Sequence, residues 1–133
     1  MYVTEIEPRV SETDGAGHIN NTTIPVWLEA GRHELFRLFT PDLSFEDWKM
    51  VIVKTTLEYK KQIYFGEKVE VKMWIKRIGN SSLELYEEIH QKGMLCAKNE
   101  AIYVNFNLHT QQTESIPEKI KAELEEHLWP ERE

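Results

Sequence analysis

One short polar stretch near the N-terminus brings a carboxylate, an imidazole, two glycines and two asparagines together. It reads Thr13-Asp14-Gly15-Ala16-Gly17-His18-Ile19-Asn20-Asn21. The Asp14 carboxylate can deprotonate a water as general base, or attack an electrophilic carbon itself. Gly15 and Gly17 leave the backbone open to close approach by a small molecule. His18 can polarise an oxygen or orient the carboxylate, and it can equally hold the loop through one hydrogen bond. Asn20 and Asn21 are loop and cap residues by type, and one of them can orient a water. Asp followed by Gly is also a common turn pair, so Asp14 taken alone has a purely structural reading.

The stretch runs into a helical pattern. Ile24, Trp27, Leu28, Gly31, Leu35, Leu38 and Phe39 share one stripe, which predicts a helix from about Thr23 to Phe39. Pro25 lacks an amide donor and is tolerated only in a first turn, so the helix is expected to begin at Thr23 or Ile24. Asn20 and Asn21 then stay in the loop beside helix-start amides that lack intrahelical partners and favour negative charge. Gly31 inside the apolar stripe costs up to about 1 kcal/mol of helix propensity, which implies another backbone or sheet packed close to it. Glu29 and Arg32 are spaced i,i+3 and are expected to pair on the helix surface.

Beyond Pro41 the period changes to two. Val3 to Ser11 is expected as a short first strand. Val51, Val53, Thr55, Leu57 and Tyr59 alternate with more polar neighbours, as do Val69, Val71, Met73 and Ile75. Turns at Gly79-Asn80 and Lys92-Gly93 separate these from Leu83, Leu85, Glu87 and Ile89, and from Ile102, Val104, Phe106 and Leu108. Short turns between long alternating runs predict antiparallel hairpins. Ser115-Ile116-Pro117-Glu118 has capping-box spacing and leads into a short helix through Ile120, Leu124 and Leu128. The layout is α+β: a curved antiparallel five-stranded sheet wrapped around one long central helix, with residues 1–133 as a single domain.

The loop motif and the following Trp27-Leu28-Glu29-Ala30-Gly31-Arg32 resemble the 4-hydroxybenzoyl-CoA thioesterase-like branch of the hotdog superfamily. That branch typically reads Thr-Asp-x-x-Gly-His-Val-Asn-Asn, then a helix with aromatic-x-Glu-x-x-Arg. Gly79-Asn80-Ser81-Ser82 resembles its Gly-x-Ser-Ser hairpin, and Asn105 to Pro117 resembles its last strand. Pro25 and Ile24 depart from it, since the branch usually carries an apolar residue and an aromatic there. The resemblance implies a hotdog fold, a homodimer or a dimer of dimers (a homotetramer), and hydrolysis of an acyl-CoA thioester at the dimer interface without a cofactor. It maps the catalytic carboxylate to Asp14 and the oxyanion donors to the backbone from about Gly17 to Asn21. His18 is a second catalytic candidate. Gly15, Gly17, Asn20, Asn21, Arg77, Ser81 and Ser82 are candidates for substrate binding, with a solvated hairpin end as the alternative for the last three. Glu29 is a further carboxylate that some hotdog enzymes use in this role. A thiolate leaves easily, its conjugate acid having a pKa of about 8.5, so base and oxyanion stabilisation are the main requirements.

Composition narrows the remaining classes. The formal charge is -7, with 16 Lys plus Arg against 23 Asp plus Glu, which disfavours nucleic acid as partner and leaves room for a small polyanion on a local patch. No apolar run reaches the roughly 18–20 residues that span a bilayer, and the N-terminus does not read as a secretory signal. Cys96 is the single cysteine, and together these features point to the cytoplasm. No nucleophile elbow, dinucleotide fingerprint or metal-ligand spacing of His18, His33, His90, His109 and His127 is present. A hotdog hydratase or dehydratase and a non-catalytic acyl-thioester binder are the competing functions. Release of free thiol separates hydrolysis from both.

Overall fold

A computed structural model describes residues 1–130. Five strands form one antiparallel sheet: β1 (Tyr2–Ile6), β2 (Met50–Tyr59), β3 (Val69–Ile78), β4 (Ser82–Gln91) and β5 (Met94–Asn107). Their spatial order is β1-β3-β4-β5-β2, and a two-residue β6 (Gln112–Thr113) pairs with the end of β5. Helices α1 (Thr23–Ala30) and α2 (His33–Phe39) pack on one face, and α3 (Glu118–Glu125) closes one end.

Alternation decides which side chains meet the helices. Val69, Val71, Met73 and Ile75 of β3 and Leu83, Leu85, Glu87 and Ile89 of β4 are all buried, while their neighbours in sequence are half-buried or exposed. In β5 the inward row is Ala97, Asn99, Ala101, Tyr103 and Asn105, set by the pairings Glu87↔Asn99 and Leu85↔Ala101. The apolar residues Ile102, Val104 and Phe106 therefore point to the outer face. Small Ala97 and Ala101 let the helices approach β5.

The expected single helix is two helices. At Gly31 and Arg32 the amides turn tight: Arg32 N donates to Glu29 O at 2.9 Å, and Gly31 N is shared between Trp27 O and Leu28 O. The backbone of Arg32 leaves the helical region before α2 resumes. Two contacts cause this. A Cβ on Gly31 would stand 2.7 Å from Val71 Cγ1, so the chain lies almost on β3 there. Arg32 turns into the core rather than pairing with Glu29, and it bonds Glu87 of β4.

Two smaller expectations also change. The first strand ends at Ile6, and Val10–Glu12 forms a 3-10 turn instead. The capping box does not form, because the Ser115 hydroxyl donates to Asn80 and Pro117 takes the cap position of α3. After α3 the chain runs along β3, where Trp129 N donates to Ile75 O and Ile75 N to His127 O.

The core has two apolar clusters. One gathers Ile24, Trp27 and Leu28 of α1 with Val69, Val71 and Ile89. The other gathers Leu35, Phe36 and Phe39 of α2 with Met73, Leu85 and Tyr103. The break at Gly31-Arg32 lies between them.

Gly31→Ala is expected to lower stability by about 1–3 kcal/mol, because the new methyl overpacks against Val71. Urea denaturation checks this, and adding Val71→Ala should recover part of the loss. No loss in the single variant would show that the close approach is not a constraint.

Candidate functional site

The loop from Asp14 to Asn21 is a folded object held on three sides. Asp14 N donates to His18 O and Asn20 N to Glu12 O, closing the loop across the Thr13–Ile19 bridge. Ile19 N donates to Ile63 O and Phe65 N to Gly17 O, which ties it to the segment after β2. The His18 ring meets the Tyr64 ring edge-on, with centroids 5.0 Å apart. Gly15 and Gly17 adopt φ of +94° and +84°, a region costly for a side chain, although nothing stands within 4 Å of either ideal Cβ. Their role in the free protein is conformational rather than spatial.

Asp14 is exposed. Its Oδ1 accepts from Ala16 N at 3.1 Å, and its Oδ2 has no partner among the described residues. His18 contributes its backbone carbonyl to Asp14 N and makes no side-chain bond to the carboxylate. Asn20 Oδ1 accepts from both the amide and the hydroxyl of Thr22, at 2.9 and 2.8 Å, and so fixes the start of α1. The amides of Gly17, His18 and Asn21 donate to no acceptor among the described residues. A carboxylate oxygen without a partner and amides without acceptors thus lie on one eight-residue loop.

Glu12, which carries no motif signal, anchors this loop. It is buried and accepts from Arg9 N at 2.7 Å, from the Arg9 guanidinium at 3.0 Å and from Trp27 Nε1 at 3.1 Å. The last bond links the loop to α1. Burial alone would raise the carboxyl pKa. The bonds from Arg9 and Trp27 and the Arg9 charge outweigh it, and the group is held below its usual value.

Two clefts flank α1. One of about 300 Å³ opens at its first turn, between Asn21, Ile24, Tyr59 and Lys61. The other, of about 630 Å³, lies on the far side of the helix, walled by Val26, Phe36, Phe45, Trp48 and Tyr103, with Glu29 and His33 also lining it. Arg77, Ser81 and Ser82 stand apart from both. Arg77 pairs with Glu84 at 3.1 Å in the hairpin of β3 and β4, while Asp14 is near Tyr64, before the opposite end of β3. Ten residues of strand separate the two ends, roughly 30 Å. Within one chain the hairpin does not meet the loop.

A buried polar chain crosses the core beneath α1. Arg32 Nε and one terminal nitrogen donate to the two oxygens of Glu87, at 2.6 and 2.7 Å. The other terminal nitrogen donates to Tyr103 Oη at 3.0 Å. Asn99 Nδ2 donates to Glu87 Oε1 at 2.8 Å, and Thr55 Oγ1 to Asn99 Oδ1 at 2.7 Å. Burial works against the Arg32 charge, yet the bonds and charge of Glu87 overcome it and make the guanidinium more basic than usual. Burial likewise raises the Tyr103 hydroxyl pKa, with Arg32 opposing.

Residues 8–124 match the Thioesterase-like superfamily. The chain belongs to that family. A protein from Bacillus stearothermophilus described as a predicted thioesterase is 58% identical, with 98% of each chain covered and a TM-score of 0.94. A thioesterase of Thermus thermophilus, solved with coenzyme A and zinc, shares the fold at 24% identity, with a TM-score of 0.82 over 92% of this chain and 96% of that one. YneP of Bacillus subtilis strain 168, proposed to be an acyl-CoA thioesterase, is 32% identical over 81 residues. That match takes in 57% of this chain and spans 59% of YneP. The fold is thus the hotdog fold expected from the loop and hairpin motifs, with its central helix broken in two. No helix among the described residues is long and apolar enough to cross a membrane.

Glu12→Gln is expected to cost about 1 kcal/mol near neutral pH, where the carboxylate is charged and bonded. A carboxyl whose pKa is lowered on folding stabilises above its unfolded value and loses that contribution as pH falls through the folded one. The gap between wild type and variant, read by urea denaturation, should therefore close in acid. A gap that persists unchanged there would show that the charge of Glu12 is not what anchors the loop.

Proposed function

We propose that this protein hydrolyses an acyl-CoA thioester to the free acid and coenzyme A. Asp14 acts as base or nucleophile, and backbone amides between Gly17 and Asn21 donate to the oxyanion. The observation that carries this reading is the pairing, on one anchored loop, of a carboxylate oxygen without a partner and amides without acceptors. Membership of the thioesterase-like family and the acyl-CoA thioesterase proposed for YneP support the substrate class.

The chemistry needs little else. Attack at the thioester carbonyl places negative charge on its oxygen, and amides already free of other partners stabilise that charge without reorganising. The carbon–sulfur bond then breaks to give a thiolate that needs little acid help. If Asp14 attacks directly, the acyl group is held as an anhydride until water releases it. If Asp14 is a base, water attacks in one step. In this reading His18, on the same loop, contacts the carbonyl or the water. Gly15 and Gly17 keep side chains away from the approaching substrate, and Asn20 and Asn21 hold the turn into α1.

The active form in this reading is a homodimer across β2. This ten-residue strand is an edge of the sheet, and Ile52, Val53 and Tyr59 are exposed along it. A long apolar edge is an open template for a further strand. A two-fold axis would pair β2 antiparallel with its copy, so the Met50 end of one protomer meets the Tyr59 end of the other. The hairpin of Arg77, Ser81 and Ser82 on one protomer then comes to the end of the sheet that carries Asp14 on the other. Coenzyme A bound to the Thermus thermophilus thioesterase is in keeping with a nucleotide site of this kind.

Wild type should release free thiol from at least one member of an acyl-CoA panel spanning short, long and aromatic acyl groups. Asp14→Asn should remain folded and lose about a hundredfold or more in kcat. A variant that keeps its rate would move the catalytic role away from Asp14, with Glu29 next in line. A wild type that releases no thiol from any substrate would overturn hydrolysis itself. Sedimentation should show a dimer, and a stable, fully active monomer would contradict the shared site.

A further inference from the structure

We infer that the buried pair of Arg32 and Glu87 positions the reactive loop, beyond any part it plays in holding the fold together. The inference rests on the thioesterase reading for its kinetic consequence, and on packing alone for its structural one.

A purely stabilising role explains the pair poorly. Arg32 is 4% and Glu87 0% exposed, and the neighbouring inward residues of β4, Leu85 and Ile89, are apolar. Taking both charges out of water is costly, and well-packed apolar side chains in their place are often neutral or better for stability. What an apolar pair lacks is direction. The planar guanidinium meets the carboxylate with two parallel bonds, which fixes angle as well as distance, and a lysine has no such fork.

The place of the pair in the fold gives that direction a use. Arg32 is the residue at which α1 ends and α2 begins. Glu87 stands between Leu85, which belongs to the α2 cluster, and Ile89, which belongs to the α1 cluster. Asn99 sits likewise between Ala101 and Ala97. The polar chain therefore marks the seam between the two apolar clusters, where it adds a directional contact that the non-directional hydrophobic effect does not supply. On one side of the seam, α1 has only eight residues, about 12 Å of helix, so a displacement at Arg32 passes to its first turn. That turn holds Asn20 and Asn21, and Trp27 within α1 holds Glu12, whose carbonyl accepts from Asn20 N and so closes the Asp14 loop. On the other side, Arg32 bonds Tyr103, which lines the larger cleft. One guanidinium thus sets the loop and the cleft wall relative to each other.

Two variants test this. Arg32→Lys keeps the charge and removes the fork. Arg32→Met with Glu87→Gln removes both charges and leaves an acceptor for Asn99. Thermal midpoint, kcat and KM for the best acyl-CoA, and the NMR resonance and exchange rate of the Trp27 indole N–H are read for each. The expected result is a folded protein in which kcat falls about tenfold or more while KM moves by less than about threefold, because chemistry is more sensitive to sub-ångström placement than binding is. The Trp27 indole signal should shift and exchange faster in the same variants. Folded variants with wild-type kcat and an unchanged indole signal would overturn the inference, and so would a fall in thermal midpoint with both of those unchanged. If wild type itself releases no thiol, the thioesterase reading fails, and the indole signal alone decides whether the pair positions the loop.

Discussion

A guanidinium and a carboxylate, both withdrawn from water, meet where the helix of this chain breaks. Most of the architecture around the site can be traced to that contact. Arg32 leaves helical geometry to reach Glu87, and Gly31 before it lies against Val71 because no side chain intervenes. The helix is therefore two short pieces, each with its own apolar cluster against the sheet. Apolar burial drives each cluster together and is by itself non-directional. The bidentate bond, extended through Asn99 to Thr55 and through Tyr103 to the cleft wall, adds the missing orientation. It ties the helix break to β4, β5 and β2 together.

The Asp14 loop draws on the same frame at second hand. Glu12 is bound to Trp27 of α1, the Asn20 side chain accepts from Thr22 just before the helix, and the backbone of the loop pairs with the segment after β2. With these groups engaged, Asp14 Oδ2 and the amides of Gly17, His18 and Asn21 remain uncommitted among the described residues. Preorganisation of this sort is what thioester hydrolysis asks for, since the leaving group is good and the barrier lies in forming a charged tetrahedral centre. The long uncovered edge of β2 fits a site completed by a second copy, which would bring the Ser81-Ser82 hairpin across from the far end of the sheet.

Much of the fold was legible in the sequence because periodicity reports burial directly. The rows Val69-Val71-Met73-Ile75 and Leu83-Leu85-Glu87-Ile89 face the core as their alternation predicts. Pro25 and the asparagines before it located the start of α1. The break at Gly31 was only half visible. The glycine signalled close approach, but Arg32 has the spacing of a surface pair with Glu29, and its true partner is 55 residues away. Glu87 stood in plain view as the one charge in an apolar row. In β5 the more apolar set, Ile102, Val104 and Phe106, lies outward, because pairing with β4 sets the register and the inward row includes Asn99 and Asn105. In the candidate site, the loop residues carried their own signal. Their anchor Glu12 did not, because its burial and its bond from Trp27, beside the local bonds from Arg9, are assembled by the fold.

Everything proposed for the chemistry depends on where the reacting carbonyl lies. A backbone amide NMR titration with an acyl-CoA analogue whose thioester is replaced by a non-hydrolysable thioether answers that without depending on turnover. The largest shifts are expected at Gly15, Gly17, His18 and Asn21, with the Trp27 indole following. Saturable shifts confined to other elements, with the amides of the Asp14 loop unmoved, would contradict a site built on that loop.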